Sequence, residues 1–125
     1  MELSVPESRV ETRDRLLMEV GIVLDVPRRT LYDTNNPNPS PTTMALTQCQ
    51  YHQELNEWVN QFREFITIHG SEVPHFWNIV MGPSYEVGNL LLNSESIAQK
   101  RDHFETTVAQ IRAAFRSIPV DEPAA

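Results

Sequence analysis

Leu55-Asn56-Glu57-Trp58-Val59-Asn60-Gln61-Phe62-Arg63-Glu64-Phe65-Ile66-Thr67-Ile68-His69-Gly70 decides the fold class of this chain. Leu55, Trp58, Val59, Phe62, Phe65, Ile66 and His69 recur at the i, i+3, i+4, i+7 spacing of a single buried helical stripe. Gln53, Asn56, Glu57, Asn60, Gln61 and Glu64 occupy the other side, an outer flank rich in neutral amides. Upstream, Ser40 suits an N-cap and Pro41 the first helical position, where a missing N–H is harmless. Gly70 suits the position just past the end. A helix over 41–69 would run about 43 Å at 1.5 Å per residue.

A second long helix is predicted from about Glu95 to Ile118, before Pro119. Ile97, Arg101, Phe104, Val108, Ile111, Phe115 and Ile118 alternate four and three apart, a seam for packing on another long helix. Arg101 is the discord in that seam. Asn93 or Ser94 would cap its start. Between the long helices, Pro74–Val80 and Ser84–Leu92 read as short helices split at Gly82-Pro83. Near the N-terminus, Val10–Leu24 reads as a third substantial helix ending before Pro27, with Leu16, Leu17, Val20 and Leu24 on one side. No segment alternates at period two. The expected fold is therefore all-α, a small bundle of about four helices, two of them long.

Asp33–Thr43 carries Pro37, Pro39 and Pro41 at alternate positions among Asn, Ser and Thr, and reads as an extended linker. With 125 residues in all, the chain is expected to form one domain, 1–125, with this linker after the first helix. Its hydrophobic content of 40% suits a globular core rather than a disordered chain. The start, Met1-Glu2-Leu3-Ser4, lacks the basic and apolar regions of a secretory leader, and Cys49 is the only cysteine. Together these point to a cytoplasmic or other reducing compartment.

Charge narrows the partners. Seventeen acids against ten bases give −7, and Arg63 is the sole base between residues 34 and 93. Phosphate backbones and anionic membranes attract clustered Lys and Arg, so both are disfavoured as partners. Phosphate-cradling glycine loops and the common zinc-protease and nucleophile-elbow motifs are missing. No cofactor is expected, and the chain reads as non-catalytic.

Three constellations remain. Cys49 and His52, spaced i, i+3, could face one metal ion with His69, His75 or His103, but no second ligand pair repeats the spacing. Cys49 is therefore expected as a small buried residue. Glu54 and Glu57 are also i, i+3, yet they sit on the polar flank and are expected to be solvated. Phe62, Phe65, Phe76, Trp77, Phe104 and Phe115 are expected to be core.

The stretch Leu24-Asp25-Val26-Pro27-Arg28-Arg29-Thr30-Leu31-Tyr32 resembles the turn and recognition-helix start of bacterial helix-turn-helix proteins. That family shows a Leu-Gly-Val-Ser turn followed by a Thr-Leu-Tyr stretch; Asp25 stands here in place of the turn glycine. The resemblance covers residues 20–33 and implies a DNA-binding regulator in which Arg28, Arg29 and Tyr32 approach DNA. The competing expectation is a loop entering a short capped turn, with both arginines paired to local acids.

The favoured expectation is a helical protein that binds another protein, as adaptor, assembly subunit or inhibitor. Contact is expected on the linker and the amide-rich flank, with Tyr51 and Arg63 as anchors. Arg101 would reach an acid on a second copy in a homo-oligomer.

Overall fold

A computed structural model describes residues 8–69 and 74–117. Four helices account for the regular structure among them: α1 (Arg9–Leu31), α2 (Pro41–His69), α3 (Pro74–Leu92) and α4 (Ile97–Arg116). The small all-α bundle expected from periodicity is what forms. α1 packs along α2 and α3 along α4, with α2 against α3 and α1 touching α4.

The starts of α1, α2 and α4 are each fixed by a serine. Ser8 Oγ accepts from the Glu11 amide, and Ser40 Oγ accepts from the Thr43 amide at 3.1 Å. At α4 the cap is Ser96 rather than Asn93 or Ser94. Ser96 and Gln99 exchange side-chain and backbone bonds in a capping box, satisfying two amides that a helix start leaves orphaned.

Two expected breaks are absent. α1 continues through Pro27 and α3 through Pro83, each proline removing one i to i−4 hydrogen bond. Burial outweighs that loss. Val26 and Leu31 beyond the first helix's predicted end are buried, as are Val80, Met81, Val87, Leu90 and Leu91 around Pro83. Each such aliphatic side chain contributes roughly 1.5–3 kcal/mol when fully buried, against about 3 kcal/mol for an internal proline. The linker is also shorter and more bent than expected. Asp33 turns the chain by accepting from the Asn35 and Asn36 amides, and residues 41–43 already belong to α2.

The core is where the stripes meet. Trp58 stacks on Phe62 with ring centroids 5.2 Å apart, and Phe115 of α4 lies against both at 5.7 and 5.4 Å. Trp58 Nε1 donates to the Leu16 carbonyl at 2.9 Å, tying α2 to α1. Of the residues expected in the core, Val20, Leu55, Phe65, Phe104, Val108 and Ile111 are buried, and Leu17 is half-buried against them. Among the described residues, no helix is long and apolar enough to cross a membrane.

Candidate partner-binding surface

The residues singled out by the helix-turn-helix resemblance lie on one unbroken helix. Residues 24–27, the expected turn, lie within the last third of α1, so no second helix is held across the first. Arg28 donates to Asp25 at 2.8 Å, and its guanidinium lies 5.3 Å from the Phe104 ring centroid on α4. Tyr32 donates to Glu105 of α4 at 3.0 Å. Burial, then the bond to the Glu105 carboxylate, raises the Tyr32 phenol above its ordinary pKa. Arg29 stays exposed and donates back to the Asp25 carbonyl. The local arginine–acid pairing expected here is present at Arg28; the loop and the helix-turn-helix are not.

Two of the three expected protein anchors are likewise used inside the molecule. Tyr51 is fully buried, and its hydroxyl donates to the Ser84 carbonyl of α3 at 2.7 Å. Burial raises its pKa far above the usual tyrosine range. Arg101 donates from Nε to the Leu31 carbonyl at the end of α1 and lies over the Tyr32 ring. It thus caps a helix C-terminus, where cationic donors are favoured, rather than reaching outward. Arg63 is exposed on α2, two residues from Gln61, and so faces away from it.

Next to Arg101, the single lysine does the same for α3. Lys100 is 7% exposed, and its ammonium donates to the carbonyls of Leu90, Leu91 and Asn93 at 2.9–3.0 Å. All three of its protons are used. Desolvation lowers its pKa, opposed by the nearby Glu95 carboxylate. In the sequence, the signal for this role is the placement of Lys100, the only lysine, four residues before Phe104 of the apolar seam.

A cleft of about 500 Å³ opens beside Lys100, with Met44, Leu91, Leu92 and Ile97 among its walls. Its polar rim is largely engaged within the chain. Ser96 serves the capping box, Asn93 accepts from the Glu95 amide, and Glu95 faces His103 Nδ1 at 3.4 Å. Glu86 faces Nε2 of the same ring at 3.5 Å, so the two carboxylates approach opposite edges and do not converge on one point. Among the described residues, no group of three His, Cys, Asp or Glu side chains is placed to hold a metal ion. Cys49 is exposed rather than buried, while the side chains of His69, His75, Phe76 and Trp77 lie outside the described residues.

The amide-rich flank is another matter. Gln53, Asn56, Glu57, Asn60, Gln61 and Glu64 are all exposed, as their positions predicted. Where this flank meets α1, Arg15 donates to Gln61 at 2.9 Å and Thr30 pairs with Thr47 at 2.8 Å, so the helices run antiparallel. On the outer side of the pair, Met18 is 63% exposed, Ile22 56% and Leu46 67%. Met18 and Ile22 are one turn apart on α1 and form a continuous apolar strip. A groove of about 180 Å³ runs beside it, lined by apolar Ile22, Val23 and Trp58 and by polar Glu19, Glu54, Glu57 and Gln61. These apolar residues were missed from sequence, although an i, i+4 pair off the Leu16–Val20–Leu24 side was readable. Comparison with protein-family models, with curated protein sequences and with solved structures found no match.

Proposed function

We propose that this chain is a non-catalytic helical protein that works by binding another protein, through the outer face of the α1–α2 pair. The observation that carries this is the Met18–Ile22 strip, two large apolar side chains more than half exposed on adjacent turns. Isolated exposed apolar residues are ordinary, but adjoining ones beside a groove are a feature of binding surfaces. The surrounding amides supply a rim that can hydrogen-bond without the desolvation cost of charge. The contact therefore lies on α1 and α2 rather than on the 33–40 loop, and its anchors are Met18 and Ile22.

Placing a photoactivatable cross-linking residue at position 18 or 22, in the native source, tests this directly. A discrete cross-linked partner is expected from both positions and not from Ala109, exposed on α4. A protein that captures nothing at 18 and 22, yet turns over a small molecule, would defeat the proposal.

A further inference from the structure

The groove between α1 and α2 combines two features that call for opposite chemistry in an occupant. Its apolar lining is Ile22, Val23 and Trp58. Its polar lining is Glu19 from α1 and Glu54, Glu57 and the neutral Gln61 from α2. Glu19 has a cationic neighbour in Arg15 at 3.2 Å, whereas Glu54 accepts from a neutral amide, that of Gln50, at 3.2 Å. Arg63 is the single Lys or Arg of α2, and it faces away from the groove side of the helix. The local surface is thus acidic over an apolar seam.

We infer that the occupant of this groove is a basic amphipathic helix of another protein, its apolar stripe on Met18 and Ile22 and its Lys or Arg residues against Glu54 and Glu57. The inference rests on the protein-binding role proposed above and names the chemistry of that partner. A helix fits because the groove lies between two antiparallel helices, where a third packs its ridge of side chains. Basic flanks fit because charge complementarity steers association and penalises wrong partners. A second copy of this chain does not fit. In a symmetric pair the same patch meets itself, which would set Glu54 and Glu57 against carboxylates.

The test uses the full chain and two labelled eighteen-residue helical peptides with the same leucine stripe, one flanked by lysines and the other by glutamates. In fluorescence anisotropy at low salt, the lysine peptide is expected to bind at least about tenfold more tightly. That advantage should shrink with added salt, because the screening length falls from about 10 Å at 0.1 M to about 3 Å at 1 M. Glu54→Gln with Glu57→Gln should remove most of it, whereas Asp33→Asn with Asp102→Asn, deleting the same charge elsewhere, should not. Ile22→Ser should weaken the lysine peptide without changing its salt response.

Equal binding of the two peptides would overturn the inference. So would a lysine preference that survives loss of Glu54 and Glu57, since that reports only the overall charge of −7. A concentration-dependent dimer in light scattering, abolished by Ile22→Ser, would assign the face to a second copy instead. A partner cross-linked at position 22 through a neutral or acidic segment would overturn the basic-helix inference and leave the protein-binding role standing. Absence of any cross-link at 18 and 22 would remove both.

Discussion

Two regions of this small bundle treat side chains that break the hydrophobic pattern in opposite ways. On α4, Lys100 and Arg101 place cations next to an apolar seam, and both are absorbed into the fold. Lys100 closes the C-terminus of α3 with three bonds, and Arg101 closes that of α1 with one. On the outer side of α1, Met18 and Ile22 place apolar groups among polar ones, and among the described residues none covers them to the extent that Val20 or Leu24 is covered. A charge in an apolar seam is thus a structural device here. An apolar strip on a polar face is the feature on which the proposed protein-binding role rests.

The largest expected effect breaks the first half of that contrast. Lys100→Met keeps the aliphatic stem but removes every donor from the carbonyls of Leu90, Leu91 and Asn93. Leaving buried acceptors unpaired costs about 1–3 kcal/mol each where water cannot reach them. Because Asn93 is exposed and water can replace one bond, the expected loss is about 3 kcal/mol in urea unfolding. Arg101→Met removes one bond from one carbonyl and should lose about 1 kcal/mol. If Lys100→Met unfolds at the same urea concentration as the parent chain, the capping role is refuted.

How much of this was readable beforehand depends on the kind of signal. The long helices were legible because their apolar residues repeat at helical spacing over many turns, and Ser40-Pro41 marks a start by its own chemistry. Pro27 and Pro83 misled because a proline states its local cost, whereas the burial of Leu31, Val80 or Val87 that outweighs it depends on neighbours remote in sequence. Tyr51 was misassigned as an outer anchor, although it sits four before Leu55 and seven before Trp58 on the same buried stripe. Arg101 was seen as a discord, but its acceptor, the Leu31 carbonyl, is seventy residues away. Met18 and Ile22 carry a signal in their i, i+4 spacing, but the stronger Leu16–Val20–Leu24 stripe on the other side of α1 sets the helix's apolar face.

A pair of glycine substitutions sharpens the comparison at intermediate size. Gly88 of α3 faces His52 of α2 so closely that an added Cβ would sit 2.4 Å from His52 Nε2. Gly88→Ala is expected to cost about 1–2 kcal/mol by overpacking, and His52→Ala should recover most of that in the double variant. Gly21, beside Ile22 on α1, has nothing within 4 Å of an added Cβ. There Gly21→Ala should stabilise by about 0.5–1 kcal/mol through helix propensity alone. Opposite signs in thermal or urea unfolding are the expected outcome; equal signs would mean the two helix faces are not packed as described.

Alkaline pH probes the interior in a different way. The buried Tyr51 phenol stays protonated in the folded chain above pH 10.0, where an unfolded tyrosine ionises. Its contribution to stability is therefore full below pH 10.0 and falls as pH rises beyond it, by about 1.4 kcal/mol per pH unit. Tyr32, also raised, adds to the fall. Lys100 acts with the opposite sign: with its pKa lowered, stability rises with pH between that lowered value and 10.5. Tyr51→Phe should flatten the loss above pH 10.0, at the expense of about 1 kcal/mol at neutral pH for the bond to Ser84. An unchanged alkaline profile in Tyr51→Phe would show that the phenol is not buried.

The smallest expected effect tests the second half of the contrast. Met18→Ser with Ile22→Ser exchanges two large apolar groups for polar ones, and exposed substitutions of this kind usually change stability by no more than about 0.5 kcal/mol each. Val20→Ser, two residues from either on the same helix, should instead cost about 3 kcal/mol, because it removes packing and buries a hydroxyl. Since all three positions share one helix and similar changes in helix propensity, the difference isolates burial from secondary structure. If the double serine variant loses as much as Val20→Ser, then Met18 and Ile22 are covered within the folded chain and the outer face is not available to a partner. If it folds like the parent but no longer binds the lysine peptide, the strip serves recognition rather than stability.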